Sequence, residues 1–425
     1  MSARAWAAAA LLAFAAARAE AGAIARCGDA FIFEEARVNV VVLPYDYIVP
    51  EHAASSKTGQ GLSLLVQMNT LSSILKYEQV GAIDLVRMSP NDLSCEPERV
   101  WQSLMSQAKS RGNGVVMVGG RIFEDGPQIY EQTFVRFARG GVPEETWSLR
   151  ARDRGFDGVL SSQTVTFPAQ TMSETDLERI ASLISQYAVL RDQPRDDAPG
   201  HPLGPDLAKC LGCVDLHRPL SYVILNQQGA WEHIRNAYGD EGWLKLDTGF
   251  GSGPLAAKMP EMSFIEGAVG FLQSRMVEGE RRAKYAGTAD EALAKYVTAT
   301  AQQEPPAAAV TATEMRALMI GADRAVTLLG EALAIAPADT EAHNLLALAK
   351  LNRWTTTKKP ESQSQIVQEF VAASVLDPTA TRALANLKSF LELSDDSLTE
   401  RMSSDDAKAQ LALVNSILAK RAPTP

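Results

Sequence analysis

Four cysteines are the residues whose chemistry and spacing say most about this chain: Cys27, Cys95, Cys210 and Cys213. In a protein that reaches an oxidising compartment, an even number of cysteines favours disulfides, and four cysteines allow three connectivities. We favour one bridge from Cys27 to Cys95 and a local bridge within the Cys-x-x-Cys pair. Two alternatives stay open for that pair: a redox-active dithiol, or a zinc site in which His217 is a third ligand and a fourth is still needed.

The sequence contains no pattern of a catalytic or cofactor-binding site. Its five histidines are scattered, and neither an H-x-H, an HExxH nor a GxSxG pattern occurs. Residues 56–61 (SKTGQG) have the residue types of a phosphate-binding loop but not its G-x-x-x-x-G-K order. No pair of carboxylates can be assigned to acid/base work. We therefore predict no catalytic residue, no cofactor, no metal and no enzymatic activity.

The first 21 residues have the composition of a secretory signal peptide. Arg4 precedes an uncharged apolar run from Ala5 to Ala17, and small residues then alternate with Arg18 and Glu20. A positive start, a short apolar run and a small-x-small cleavage site are the three parts of such a leader. The alternative is a buried Ala-rich helix at the amino terminus. We predict an exported protein of the periplasm or cell envelope.

The charge balance argues against two classes of partner. The formal net charge is −10, and no cluster of lysines and arginines stands out from that acidic background. Nucleic acid and anionic membrane surfaces both attract basic proteins. After the leader, no uninterrupted apolar segment approaches the roughly 18 residues that a membrane span needs. We expect no nucleic-acid partner and no membrane span.

Hydrophobic periodicity predicts an α+β multidomain protein that begins with a mixed α/β domain over residues 28–190. A β-branched run at 38–43 predicts a buried strand, and leucines spaced by three and four residues between 64 and 75 predict a helix. The alternation continues with a strand at 81–86, a helix at 97–112, a hairpin at 115–123 and 129–137, a strand near 159–167 and a helix from 173. This order resembles the amino-terminal domains of the Tol-system translocation protein and the curli-secretion lipoprotein, which implies partner docking without catalysis.

An Asp-, Pro- and Gly-rich stretch over 191–209 predicts a linker, and three short strand patterns follow in the segment 210–250. The patterns Trp-x-x-Ile-Arg and Gly-x-x-Gly-Trp are formed by Trp231, Ile234, Arg235, Gly239, Gly242 and Trp243. This segment resembles the second half of a bacterial SH3 domain, which implies a partial SH3-like β-barrel because the family's first half is missing. Such domains contact peptidoglycan or peptides, so Tyr222, Trp231 and Tyr238 are candidate binding residues. The alternative for the tryptophans is core packing.

The carboxy-terminal part is predicted to be helical, with a helical connector at 261–303 and an α-helical repeat array at 307–425. Pro337 and Pro378 each follow a similar apolar segment and precede a further helix, about 41 residues apart. The array resembles tetratricopeptide repeats, which implies a concave face that binds peptides or partner helices. A plain helical bundle is the alternative.

These modules together predict an exported, non-catalytic adaptor or scaffold. Its expected partners are envelope proteins or peptides bound by the helical repeats, and peptidoglycan is an additional candidate ligand of the SH3-like segment. A component of an envelope secretion or assembly machine is the alternative function. A cell-wall hydrolase is the third hypothesis, and the missing catalytic pattern argues against it.

Overall fold

The computed structural model divides the chain into two compact units, Met1–Val142 with Thr166–Val277, and Pro143–Val165 with Glu278–Pro425. Each unit is described by itself. The structure describes residues 26–48, 77–85, 93–126, 128–142, 144–161, 163–172, 189–202, 221–229, 231–236, 239–245, 259–301, 307–357, 361–379, 381–393, 398–399 and 401–421. The predicted signal peptide, the predicted helix at 64–75 and the predicted helix from 173 lie outside these ranges.

The first unit is built on a parallel core of three strands. Strand β1 (Val38–Val42) lies between β3 (Val80–Asp84) and β4 (Gly114–Asp125) and is parallel to both. A short strand, β2 (Asp46–Ile48), pairs with the far half of β4. Every residue of β1 and β3 is buried. This burial explains the uninterrupted β-branched run, because a parallel strand covered on both faces has no polar side.

A long hairpin continues the sheet from β4 to β5 (Gln128–Arg139), with twelve residues in each strand. Gly126 adopts φ +61° in the turn, a conformation that glycine adopts without steric cost. The hairpin predicted from the Asp125-Gly126 turn is confirmed. Beyond it, β9 (Gln170–Met172) pairs with β5.

Within the described residues, one helix covers each face of this sheet. Helix α1 (Pro97–Lys109) buries Val100, Trp101 and Leu104 in a cluster with alternate residues of β1, β3 and β4. Helix α2 (Glu261–Met276) packs on β1, β4 and β5. The sequence placed residues 261–276 in a connector, but the helix completes the core of the first unit.

The predicted bridge from Cys27 to Cys95 is present in the structure. It joins two short 3-10 turns, Cys27–Asp29 and Leu93–Cys95, which border α1. Both sulfurs lie in the same buried cluster as the apolar side of α1. Cys210 and Cys213 lie outside the described residues.

The three strands predicted for the SH3-like segment are formed by β12 (Tyr222–Gln228), β13 (Trp231–Asn236) and β14 (Glu241–Lys245). They do not close a barrel. Strand β12 pairs antiparallel with β3, while β14 contacts β10 (Val189–Arg191), which pairs with β11 (Gly200–Pro202). The predicted partial barrel is therefore an extension of the large sheet, because free edges at β3 and β10 offer main-chain partners.

The second unit combines seven helices with one β-hairpin within its described residues. The helices are α3 (Gly279–Thr300), α4 (Ala307–Met319), α5 (Ala322–Ile335), α6 (Thr340–Thr357), α7 (Gln363–Leu376), α8 (Thr381–Leu391) and α9 (Ser404–Arg421). From α3 to α9, each helix packs on the next one along the chain. This sequential packing agrees with the helical character predicted for residues 307–425.

The hairpin of the second unit comprises β6 (Thr146–Ala151) and β7 (Arg154–Val159) and forms a sheet of its own. The sequence predicted only one strand near 159–167, part of which is β8 (Thr164–Thr166). Strand β7 packs against α6 and α8. These contacts join residues 187 positions apart for α6 and 229 positions apart for α8, and local periodicity contains no information about them.

Candidate functional site: a strand held by two helices

The most distinctive polar arrangement of the second unit is the attachment of β7 to α6 and α8. We call it the hairpin site and define it by Asn344, Leu345 and Leu348 of α6 and Asn386 of α8. These residues stand on two helices that are separated in sequence by α7. Asn344 and Asn386 are 1% and 4% exposed, so each amide needs a partner within the protein.

The two asparagines hold the main chain of Asp157. The Asp157 N–H donates to Asn386 Oδ1 at 3.1 Å, and Asn386 Nδ2 donates to the Asp157 carbonyl at 2.7 Å. Asn344 Nδ2 donates to the same carbonyl at 3.2 Å. Asn386 Nδ2 also lies 2.9 Å from Asn344 Oδ1, which fixes the orientation of both amides. Side-chain amides thus supply the hydrogen bonds that a neighbouring β-strand would otherwise supply.

The residues on either side of Asp157 complete the site. Phe156 is 1% exposed and lies in an apolar cluster that includes Leu348 and Phe390. At Gly158, a Cβ atom would lie 2.6 Å from Leu345 Cδ2 and 2.9 Å from Leu348 Cδ1. Any side chain at this position would displace two buried leucines. The site therefore accepts three consecutive residues: an aromatic residue, a residue that is bound through its main chain, and a glycine.

A buried carboxyl holds the chain where it leaves the hairpin. Ser161 Oγ lies 2.6 Å from Glu314 Oε1 and 2.8 Å from Asp339 Oδ1, and the Ser161 N–H donates to Glu314 Oε2 at 3.1 Å. A hydroxyl has one proton and can donate to only one of the two carboxyls. Burial, and then the charge of Asp339, raise the pKa of Glu314 to about 8. Protonated Glu314 can therefore donate to Ser161, which donates to Asp339.

Ion pairs surround the site at the surface. Arg382 contacts Glu341 at 3.1 Å and Glu144 at 2.8 Å, and Arg154 contacts Glu392 at 2.5 Å. The arginine side chains are about one third exposed or more. Exposed pairs contribute at most about 1 kcal/mol, so specificity at this site depends on the buried amides and the apolar cluster.

The structure separates the binding residues that the sequence grouped together. Tyr222 is buried in the sheet, where burial and the charge of Glu232 raise the pKa of its hydroxyl. Trp231 is half-buried, with Lys245 Nζ 5.7 Å from its ring centroid. Tyr222 pairs with Asn236 and Trp231 with Gln228, at opposite ends of the β12–β13 ribbon. Tyr238 lies outside the described residues.

The residues of the hairpin site were not found from the sequence. Asn344 and Asn386 are 42 residues apart, almost the spacing of Pro337 and Pro378 that indicated the internal repeat. The available signal was an asparagine that directly precedes a leucine at a corresponding position of the two helices. Nothing in the sequence connects these positions with Phe156 or with Gly158.

A second cluster of buried carboxyls lies in the first unit. Glu131 of β5 and Glu261 of α2 interact with each other, and Thr133 links Glu131 to the Tyr45 hydroxyl. Burial raises the pKa of Glu131 to about 7, and burial together with the charge of Glu131 raises the pKa of Glu261. These side chains lie at the sheet–helix interface, so the protonation of the pair affects the free energy of unfolding of the first unit. No sequence pattern indicates this pairing.

Comparisons with protein-family models, curated proteins and solved structures find no significant match for this chain. In the described ranges, no group of histidine, cysteine and acidic side chains is arranged to hold a metal ion. No helix of the described residues has both the length and the hydrophobicity that crossing a membrane requires.

Proposed function

We propose that this chain is an exported, non-catalytic adaptor or scaffold that binds extended segments of envelope proteins through its helical unit. The observation that carries the proposal is the attachment of Asp157, whose N–H and C=O are both bonded by asparagines of α6 and α8. Amides that bond a main chain at both its donor and its acceptor are suited to a strand of varied sequence.

The packing of the second unit supports this proposal. Its helices pack consecutively, an arrangement that builds extended binding surfaces in repeat proteins. The cell-envelope location is supported by the leader-like pattern of residues 1–21 and by the Cys27–Cys95 bridge, since such bridges persist in oxidising compartments.

Quantitative co-purification tests the adaptor function. The full chain, produced with its leader and recovered from the envelope, is compared with Asn386→Ala and with the matched control Asn415→Ala, an exposed residue of α9. We expect a defined set of envelope proteins to accompany the wild type and Asn415→Ala and to be lost from Asn386→Ala. Equal recovery from all three proteins, or turnover of cell-wall fragments by the pure chain, would contradict the proposal.

Peptidoglycan is kept as an additional ligand because Trp231 is half-exposed beside Lys245. Sedimentation with purified peptidoglycan measures this contact directly. We expect Trp231→Ala to reduce sedimentation while the chain stays folded, because the ring is only half-buried. Sedimentation that is absent from the wild type excludes peptidoglycan and leaves the protein-binding proposal standing.

A further inference from the structure

We propose that the hairpin site recognises a phenylalanine-x-glycine sequence in an extended segment of a partner protein, and that the chain's own β7 occupies the site as a tethered competitor. This inference rests on the proposed function and names the class of segment that the helical unit binds. The three residues that define the class are Phe156, Asp157 and Gly158.

The first position requires a large apolar ring. Phe156 is 1% exposed and belongs to a buried apolar cluster that includes Leu348 of α6 and Phe390 of α8. A ring buried in such a cluster dominates the energy of a small interface, and smaller residues leave a cavity there. The partner segment therefore carries phenylalanine at this position.

The second position is read through its main chain. Asn344 and Asn386 bond the Asp157 backbone, while the Asp157 side chain is exposed. Replacing this side chain leaves the three hydrogen bonds intact. The middle residue of the partner segment is therefore unrestricted, provided that it has a backbone N–H, which excludes proline.

The third position favours glycine, because a Cβ atom there would force the terminal methyl groups of two buried leucines of α6 to move. The shortest approach would be 2.6 Å, to Leu345 Cδ2. Gly158 lies in extended backbone and is not among the residues with positive φ, so it serves close approach and not a special turn. The site thus favours glycine because glycine has no Cβ atom.

Among the described residues, the hairpin is attached to the second unit by its contacts with the helices and by no strand of a larger sheet. It is a two-stranded sheet that joins no larger sheet, and such ribbons are marginally stable alone. Arg152 in its turn adopts φ +56°, a left-handed conformation that is unfavourable for a residue with a Cβ atom. A linear segment with the same three residues makes the central contacts without this turn.

The attachment of β7 to the same chain limits which free segments can bind to the hairpin site. A segment attached to the same chain competes at a high effective concentration, so a free segment binds weakly until the hairpin contact is weakened. The proposal therefore predicts opposite effects for two changes at one contact. Phe156→Ala weakens the competitor and raises the affinity for a free segment, whereas Asn386→Ala added to that variant removes hydrogen bonds to the segment and lowers the affinity again.

The probe is a labelled synthetic peptide with the sequence of residues 154–160 (RGFDGVL), used in fluorescence anisotropy with the full chain. Control peptides replace its phenylalanine or its second glycine with alanine. We expect the peptide to bind Phe156→Ala at least tenfold more tightly than wild type, and Phe156→Ala combined with Asn415→Ala to behave like Phe156→Ala. Phe156→Ala combined with Asn386→Ala binds the peptide more weakly than Phe156→Ala, and both control peptides bind more weakly than the original peptide.

A second measurement covers the case in which Phe156→Ala does not fold. Hydrogen exchange of the amides from Phe156 to Val159 is followed in the wild-type chain with millimolar peptide. The proposal requires faster exchange of these amides as the free peptide displaces the hairpin. Unchanged exchange, or a folded Phe156→Ala chain that binds no peptide, overturns it. A wild-type dimer that the peptide dissociates would assign the site to a second copy of the chain and also overturn it.

The outcomes separate this inference from the proposed function. Envelope proteins that depend on Asn386 together with a peptide that does not bind leave the adaptor function intact and reject the phenylalanine-x-glycine class. Peptide binding without any Asn386-dependent envelope protein supports the class and rejects the adaptor function.

Discussion

Two antiparallel ribbons of this protein are attached in opposite ways. The β12–β13–β14 ribbon of the first unit extends a sheet through main-chain pairing at β3 and β10. The β6–β7 hairpin of the second unit joins no sheet and is held by side chains of α6 and α8. Main-chain pairing tolerates many sequences, whereas two amides, a ring pocket and a glycine contact define a short sequence. The second attachment is therefore the one at which we propose that a partner segment binds.

The buried carboxyls of the two units differ in a similar way. Glu131 and Glu261 interact with each other at a sheet–helix interface, so their protonation stabilises a permanent contact. Glu314 instead bonds Ser161, directly after the hairpin, so its proton stabilises the attachment of a hairpin that we propose is exchangeable. A buried carboxyl with a raised pKa therefore has a structural role in the first unit and a positioning role in the second unit.

The largest effect is expected from Phe156→Ala. Removing a fully buried ring costs about 3–5 kcal/mol of unfolding free energy. We expect the unfolding transition of the second unit to shift while that of the first unit is unchanged. Ile234→Ala, in the buried face of β13, is the matched variant and shifts only the first unit. Calorimetry of the full chain distinguishes the two transitions, and a shift of both by either variant contradicts the division.

The next effect is expected from Cys27→Ser. The bridge to Cys95 closes a loop of 68 residues, and a loop of that size stabilises a protein by about 4 kcal/mol through the unfolded chain. Denaturant unfolding of the first unit measures this loss, and reduction of the wild type with dithiothreitol supplies the control. Native thiol labelling at Cys27 or Cys95 in the untreated protein would show that the bridge is absent.

A smaller loss is expected from Asn386→Ala. The substitution leaves the partly buried N–H of Asp157 without its partner, which costs about 1 kcal/mol. Amide exchange at Asp157 should accelerate, while the control Asn415→Ala stays within about 0.5 kcal/mol of wild type because the residue is exposed. Unchanged exchange at Asp157 would mean that the asparagine does not hold the strand.

The most gradual effect is the change of unfolding free energy with pH, which we expect in both units. Glu131 and Glu314 have folded-state pKa values raised from 4.5 to about 7 and about 8. The folded state keeps a proton that the unfolded chain has lost, so this stability is full below pH 4.5. It is lost as the pH rises, by up to about 1.4 kcal/mol per pH unit for each group.

Urea unfolding between pH 4.5 and 8 measures this slope. We expect Glu131→Gln to flatten it for the first unit and Glu314→Gln to flatten it for the second unit. Glu98→Gln is the control because Glu98 is exposed and its pKa is lowered by hydrogen bonds from Gln102 and Arg136. Stability that rises from pH 5 to 7 would contradict the assigned directions.

Local sequence patterns were sufficient to predict which segments form these strands and helices. The β-branched run of β1, the β4–β5 hairpin, helix α1 and the helices after residue 307 follow from alternation, turn residues and helical spacing. The count of cysteines and the expected compartment predicted disulfides, and the bridge from Cys27 to Cys95 that we favoured among three connectivities is confirmed. The strands and helices depend on short-range geometry, which the order of residues encodes directly.

Only the tertiary structure decided where those elements dock. The strands of the SH3-like segment have the pattern of a barrel, yet they pair with β3 and β10, because main-chain edges accept any strand. The hairpin site joins Gly158 to Leu345 and Asp157 to Asn386, and the acid pair joins Glu131 to Glu261. Such contacts arise from packing between distant segments. Their energy depends on burial and on the positions of atoms, which local periodicity does not contain.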